Sequence, residues 1–406
     1  MAETPEHDRD RANRLSRGTY IRKAAEIVLF AAAFFAIGFA YARAFPKKDD
    51  ALAPVRKVME TVRAEYYYYD ENTERALTEG ALKGIAAYLT DTYAAYYTEE
   101  EYAALMKGDS GQYTGLGITI TLTEEGACLI ESVFEGGPAY EAGLLAGDII
   151  TVVNGQSTAG LTLGEISGRI LTDDGAENTL TVQRGEESLT FTVTAGEVYT
   201  PYVHYRMLNA DTGYIHISGF HGKVTEEVET AVETLRAQGM DRLVLDVRDD
   251  PGGLLTDVCD IADIFLPADC VITTLKSRSG REKVYRTKTD GLGIPVAMLV
   301  NEDSASASEL LAGALHDNGA AVLFGTGTYG KGIVQTYYEL DRGANGAFKM
   351  TTDAYFTPGG VCIQDEGITP DHTVEMPEDV RYTEIWELDP ASDPQLSAAI
   401  DYLAGL

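Results

Sequence analysis

The sequence predicts a multidomain α/β protein, and three observations carry that reading. A chain of 406 residues exceeds what one hydrophobic core ordinarily organises, so two or three folded units are expected. Residues 111–196 read as short apolar strands broken by glycine turns, the pattern of a compact β-rich module. From residue 197 onward, apolar runs such as 243–247 and 295–300 alternate with helical segments, as they do in an α/β domain.

Composition narrows the functional classes. Hydrophobic residues make up 45% of the chain and the formal charge is -32. That balance argues against nucleic acid or an anionic lipid surface as a partner, because both need clustered Lys and Arg. Cys128, Cys259, Cys270 and Cys362 form no C-x-x-C pair, so zinc and thioredoxin-like chemistry are not indicated, and no metal or cofactor is expected. Cys259 with Cys270 is the pair to check for a disulfide if this part of the chain lies outside the cell.

Each segment follows in order. Residues 1–23 are polar and mildly basic, a cytoplasmic tail. Residues 27–42 carry no charge, and 24–45 read as a single membrane helix that leaves the rest of the chain on the extracytoplasmic side. Ala40-Tyr41-Ala42 also resembles a signal-cleavage site, so secretion after cleavage is the alternative. Residues 50–110 show helical spacing at Val55, Val58, Met59 and Val62 and again at Leu82, Ile85, Ala86 and Leu89, a helical region with no assigned chemistry. Within 111–196, strands are expected over 117–122, 128–133, 149–153 and 179–183. Within 197–375, strands over 214–218, 243–247, 271–275, 295–300 and 320–325 alternate with helices over 225–238 and 254–265 and a third opened by Ser306. An acidic tail, 376–406, ends in a short amphipathic helix over 396–403.

In the β-rich module, Tyr113-Thr-Gly115-Leu116-Gly117-Ile118 is followed by Gly136-Gly-Pro-Ala139, Ala146-Gly-Asp148 and Val153-Asn-Gly155. Together these blocks resemble a PDZ domain. The resemblance implies that the main-chain N–H groups around Leu116, Gly117 and Ile118 cradle a peptide's terminal carboxylate.

The α/β region carries the candidate chemistry. Asn301-Glu-Asp-Ser-Ala-Ser-Ala-Ser-Glu309 follows an apolar run and opens a helix, where a serine meets backbone N–H donors. The plain alternative for Ser306 with Glu309 is an S-x-x-E capping box. A helix of about 12 residues descends ~18 Å and a strand of about 6 climbs back ~20 Å, which returns the loop after 320–325 to the edge where Ser306 starts. That loop contains Lys331 between two glycines. The strand 243–247 also runs into a turn, Asp249-Asp250-Pro251-Gly252-Gly253, on the same edge. A hydroxyl, an amine and exposed N–H groups are the parts of an acyl-transfer site. Lysine acts as a base only when burial pulls its pKa well below ~10.4, and Gln335 is a neutral group able to orient it. Gly325-x4-Gly330-Lys331 is nearly a P-loop, but Gly332 stands where the magnesium-binding hydroxyl belongs and a strand follows instead of a helix. A Ser-His-Asp arrangement finds no local support: His316 lies ~15 Å along the helix from Ser306, and His204, His216, His221 and His372 carry no triad motif.

With these residues assembled, the chain resembles the C-terminal processing peptidases, tail-specific serine proteases with a PDZ domain. Tyr355-Phe-Thr-Pro358-Gly359-Gly360, Gly367-Ile-Thr-Pro370-Asp371 and the lead-in Asp91-Thr-Tyr-Ala-Ala-Tyr96 match as well. The resemblance implies a ClpP/crotonase-like α/β core. It makes Ser306 the nucleophile, Lys331 the base and Gln335 its orienting partner. Oxyanion donors would come from Ala307 and from Gly252 or Gly253. It further implies substrates with exposed C-termini or unfolded chains, a PDZ domain that gates the site, a homodimer through the helical ends, and a regulatory protein. Asp250 departs from the family's usual Asn and adds a charge beside the oxyanion turn. The competing function is a catalytically silent peptide-binding scaffold.

Overall fold

The computed structural model describes residues 34–35, 51–123, 125–340, 346–377 and 385–406. The anchor expected over 24–45, with its candidate cleavage site, lies outside these apart from Phe34 and Phe35. Among the described residues no helix is long and apolar enough to cross a membrane. Two compact units divide the chain, residues 1–77 and 78–406. In the first, α1 (Ala53–Glu65) is entered through a proline at its start, and no residue of it is buried. Arg63 at its last turn pairs with Glu74 at the start of α2 (Thr73–Tyr88).

The segment expected to be helical throughout becomes extended at β1 (Ala95–Thr98) before α3 (Glu99–Asp109). Thr98 caps α3 by accepting the Glu101 N–H at 3.2 Å, and Glu101 returns the bond to the Thr98 N–H at 2.8 Å. Next comes the β-rich module: β2 (Gln112–Gly115), β3 (Ile118–Leu122), β4 (Cys128–Val133), α4 (Pro138–Glu141), β5 (Ile149–Val153), β6 (Gln156–Ser157), α5 (Leu163–Ser167), β7 (Glu177–Arg184), β8 (Glu187–Thr194) and β9 (Gly196–Tyr199). Alternation along β7 buries Asn178, Leu180 and Val182, the period-two signal of a strand with one face on a core. Strands β3, β4, β5, β7 and β8 pair in that order around Ile130, Ile150, Ile166 and Leu180, while β2 and β9 pair separately as a two-stranded neck.

The α/β region continues with β10 (Val203–Met207), β11 (Thr212–Ile217), α6 (Val224–Ala237), β12 (Arg242–Asp246), α7 (Leu255–Phe265), β13 (Val271–Ser277), β14 (Glu282–Arg286), β15 (Val296–Val300), α8 (Ala307–Asp317), β16 (Ala321–Gly325), β17 (Ile333–Glu339), β18 (Gly346–Phe356), β19 (His372–Thr373) and α9 (Pro394–Ala404). One sheet runs β10-β11-β12-β15-β16-β19, parallel from β11 onward. Both of its faces are covered, so β15 is apolar throughout and β12 is apolar between its charged ends, over 243–245. Helices α6, α7 and α8 cover one face. Leu396, Ala399 and Leu403 of α9 pack on Val244, Ala297 and Leu299 from the other. The helix that ends the acidic tail is therefore part of the sheet's core. A second sheet joins β1, β18, β13 and β14, with β17 against β18. β1 enters it from before the β-rich module, so that module is an insertion within the α/β region.

Candidate active site

Three loops meet at one edge of the parallel sheet, as the alternation of strands and helices requires. The Ser304 hydroxyl donates to the Val247 carbonyl at 2.7 Å. Asn301 accepts the Asp249 N–H at 3.0 Å, and the Ala305 N–H donates to the Asp250 carbonyl at 2.9 Å. These bonds join the β15–α8 loop to the β12–α7 turn. The Tyr329 N–H donates to the Ser304 carbonyl at 3.1 Å and brings in the third loop.

Ser306 sits at the entry of α8 with φ 56° and ψ -108°, a conformation unfavourable for an L-residue and held by its surroundings. Its N–H donates to Glu309 Oε2 at 2.9 Å. The same carboxyl takes the Lys331 N–H on Oε2 at 2.8 Å, and the Gly330 N–H at 2.7 Å and Thr328 hydroxyl at 2.6 Å on Oε1. Glu309, fully buried, does more than cap its helix: it fixes the main chain of Ser306 to that of Lys331. The Tyr355 hydroxyl, on β18, reaches the carbonyl oxygens of Ser306 at 2.9 Å and of Lys331. Burial holds that phenol well above its usual pKa, helped by the neighbouring Glu309.

Lys331 is half-buried, with Nζ 4.8 Å from the centroid of the Tyr93 ring. Burial lowers its pKa first and the positive charge of Lys349 second, against an opposing pull from Glu309. Its flanking glycines are needed for space. A Cβ on Gly330 would lie 3.0 Å from the Gly367 N, and one on Gly332 would lie 2.6 Å from the Gln364 N. Gln335 shares the site, but its Nε2 donates to Thr351 Oγ1 at 3.2 Å. Thr351 in turn donates to Asp91 through its N–H at 2.7 Å and its hydroxyl at 3.1 Å. The Gln335 amide oxygen is thus the atom left to accept from an amine.

The turn residues separate into two kinds. A Cβ on Gly252 would stand 2.6 Å from the Ala305 oxygen and 2.8 Å from the Ala307 nitrogen, so only glycine lets this turn press on the start of α8. The Gly252 N–H is taken by Asp250 Oδ1 at 2.8 Å. Among the described residues the N–H groups of Gly253 and Ala307 have no partner. Gly253 is exposed whereas Gly252 is buried. Ser306, Ala307, Gly252, Gly253, Lys331, Gln335 and Tyr355 all line one cavity of about 360 Å³, with Asp109, His221 and Lys349 also on its wall.

A family model described as Peptidase family S41 matches residues 211–374, and one described as PDZ domain matches residues 129–184. Residues 211–374 belong to peptidase family S41. It is 33% identical over 337 residues to a protein of Staphylococcus aureus named "Probable CtpA-like serine protease", an alignment that takes in 82% of this chain and 66% of that relative. The chain thus spans just under two thirds of the relative's length. Among solved structures, an S41 protease from Bacteroides fragilis shares the fold at 17% identity and TM-score 0.50, over 74% of this chain and 87% of that one. The photosystem II D1 C-terminal processing protease is 27% identical with TM-score 0.48, over 79% and 86% of the two chains.

In the PDZ domain, the carbonyls of Leu116 and Gly117 accept from Ala139 and Phe134 at 2.8 and 2.9 Å. Their own N–H groups have no partner among the described residues, while Ile118 begins β3. Elsewhere in the chain, all four cysteines are free thiols, including Cys259 and Cys270. Of the histidines, His316 contacts Asp371 at 3.2 Å, and His204 stacks on Trp386 with centroids 4.3 Å apart. His221 is different: it lines the cavity, 3.8 Å from Asp109. Sequence reasoning gave it no role, nor Thr351 or Lys349, because none of the three belongs to a local pattern, and it gave Tyr93 no role although the lead-in block contains it. The 91–96 lead-in was the one signal that could have found Tyr93 and Asp91.

Proposed function

We propose that this S41 chain is a serine endopeptidase with Ser306 as nucleophile and Lys331 as general base. The observation that supports it best is Glu309, whose bonds to both main chains hold the hydroxyl-bearing and amine-bearing residues as one unit facing one cavity. Ser306 Oγ attacks the scissile carbonyl carbon as its proton passes to the neutral Lys331 Nζ. The tetrahedral oxyanion accepts from the Ala307 and Gly253 N–H groups. Collapse transfers the proton to the leaving amine, and water then hydrolyses the acyl-enzyme. Gln335, tied through Thr351 to Asp91, supplies a neutral acceptor that orients the amine without raising its pKa.

The substrate class is protein chains with an unfolded or exposed C-terminus, the terminal carboxylate being taken by the N–H groups of Leu116, Gly117 and Ile118. Membrane anchorage through 24–45 with an extracytoplasmic catalytic part completes the reading, together with a homodimer and a regulatory protein. Their supports are the uncharged run at 27–42, the apolar side chains exposed on α1 and the family resemblance. His221 with Asp109 offers a second base. The position of Lys331 favours the lysine, because its backbone shares a carboxyl with that of Ser306 and that of His221 does not.

The test is cleavage of an unfolded protein with an apolar C-terminus by the full chain and by Ser306→Ala, Lys331→Ala and His221→Ala. Ser306→Ala and Lys331→Ala should each lose about a thousandfold or more in kcat, while His221→Ala stays within about tenfold. Equal cleavage by Lys331→Ala would rule out the lysine as base. Binding of the tail without cleavage by the unaltered chain would return the scaffold reading.

A further inference from the structure

The turn that carries Gly252 holds a carboxyl that the proposed reaction does not use. Asp250 is 0% exposed. Its Oδ1 accepts the Gly252 N–H at 2.8 Å, and its Oδ2 is buried with no hydrogen-bond partner. Its own main-chain carbonyl is occupied by the Ala305 N–H and the Ser308 hydroxyl, each at 2.9 Å. Among the described residues no cation compensates it. The Arg248 guanidinium goes to Asp246, Asp393 and Gln395, and the Asp249 carboxyl meets Asn301. Among the described residues the Gly252 N–H is the hydrogen-bond donor to the Asp250 carboxyl, while the nearby Ser308 hydroxyl of α8 is spent on its main-chain carbonyl. An ionised carboxyl here would leave one oxygen charged, dry and unbonded, the costliest way to bury it. The neutral acid instead has the shape of asparagine: a carbonyl oxygen for Gly252, and a protonated oxygen where the amide nitrogen would lie.

We propose that Asp250 is a positioning residue that works as a neutral carboxylic acid, holding Gly252 against Ser306 so that Gly253 and Ala307 present the oxyanion donors. Ionised, it sets a negative charge behind the oxyanion that those donors must stabilise. Burial independently pushes its pKa well above the usual carboxylate range, against the opposing pull of the Gly252 hydrogen bond and the nearby Ser308 hydroxyl. This role rests on the Ser306–Lys331 reading and adds a second ionisation to it. Activity needs Lys331 without its proton and Asp250 with its own, so kcat/KM is bell-shaped.

The decisive comparison is the pH profile of kcat/KM for the full chain and for Asp250→Asn. The asparagine variant should keep the ascending limb and lose the descending one. Asp250→Ala, which removes the acceptor for the Gly252 N–H, should lower kcat about tenfold to a hundredfold, and the conservative Asn variant should restore it. A second readout needs no turnover. In a Ser306→Ala background, folded Asp250 binds its proton more tightly than the unfolded chain does. Stability in urea should therefore fall as pH rises from the ordinary carboxylate range to the raised value, and Asp250→Asn should not share that fall. Superimposable profiles for the aspartate and asparagine chains in either measurement overturn the proposal. An inactive wild type with a pH-dependent stability gap would overturn the Ser306–Lys331 reading and leave the neutral acid standing.

Discussion

Asp246, the last residue of β12, and Asp250, in the turn that follows it, are both fully buried and are accommodated in opposite ways. Asp246 accepts the Tyr214 hydroxyl at 2.7 Å and pairs with Arg248 at 2.6 Å. Burial alone would raise its pKa, but the charge and hydrogen bonds of Arg248 outweigh that and hold it below the usual range. Among the described residues Asp250 has a single N–H donor and no cation, so burial prevails and its pKa goes up. Glu309, across Ser306, is a third solution: among the described residues no cation is bonded to it, but four donors are. Burial by itself does not decide what a carboxyl does; the number and charge of the donors aimed at it do. Around this site the paired carboxyl anchors the turn, the four-bonded one joins two loops, and the orphaned one is left to hold a proton.

Removing the cation tests the first of these. Arg248→Met leaves Asp246 and Asp393 buried without their shared partner and should cost about 3–5 kcal/mol, read as a lowered urea midpoint. A variant as stable as wild type would mean the cluster is replaceable by apolar packing. Glu309→Gln comes next. On either side of the carboxyl the new NH2 group would face an N–H that cannot turn away: Gly330 on one, Ser306 and Lys331 on the other. A loss of about 1–3 kcal/mol is expected, with kcat falling more than KM rises; wild-type kcat would show that the joined loops are not needed for turnover. The smallest effect is expected from Lys349→Met. It removes a positive charge that lowers the Lys331 pKa, so the ascending limb of the pH profile should move to higher pH, and an unmoved limb would remove Lys349 from the tuning of the base.

Much of this arrangement was legible in the sequence because it follows from local periodicity. Expected strands over 128–133 and 149–153 coincide with β4 and β5, and the strand and helix lengths sufficed to bring Ser306, Lys331 and Gly252 to one edge. S-x-x-E was read as the plain alternative to catalysis, yet Glu309 turns out to link the two candidate residues. What escaped depends on partners far apart in the chain. Asp91 and Thr351 meet across 260 positions; no window of sequence contains both. The choice between Gly252 and Gly253 was also invisible, since it rests on where the Asp250 carboxyl points. The tail was set apart as a separate segment because its acidic stretch has no periodicity, although Asp393 and Gln395 bond the buried Arg248.

The neck beneath the PDZ domain has a mechanical consequence. β2 and β9 leave the α/β region side by side, bonded over four residue pairs. The Gly222 N–H donates to the Asp109 carbonyl at 3.2 Å and the Thr200 N–H to that of Gly111 at 2.9 Å, which clamps both legs at their base. A module on one flexible tether can swivel without disturbing what it hangs from; on two braced legs, any torque on it is delivered to the footing. Here the footing includes Asp109 and lies beside His221, both on the wall of the cavity that Ser306 faces.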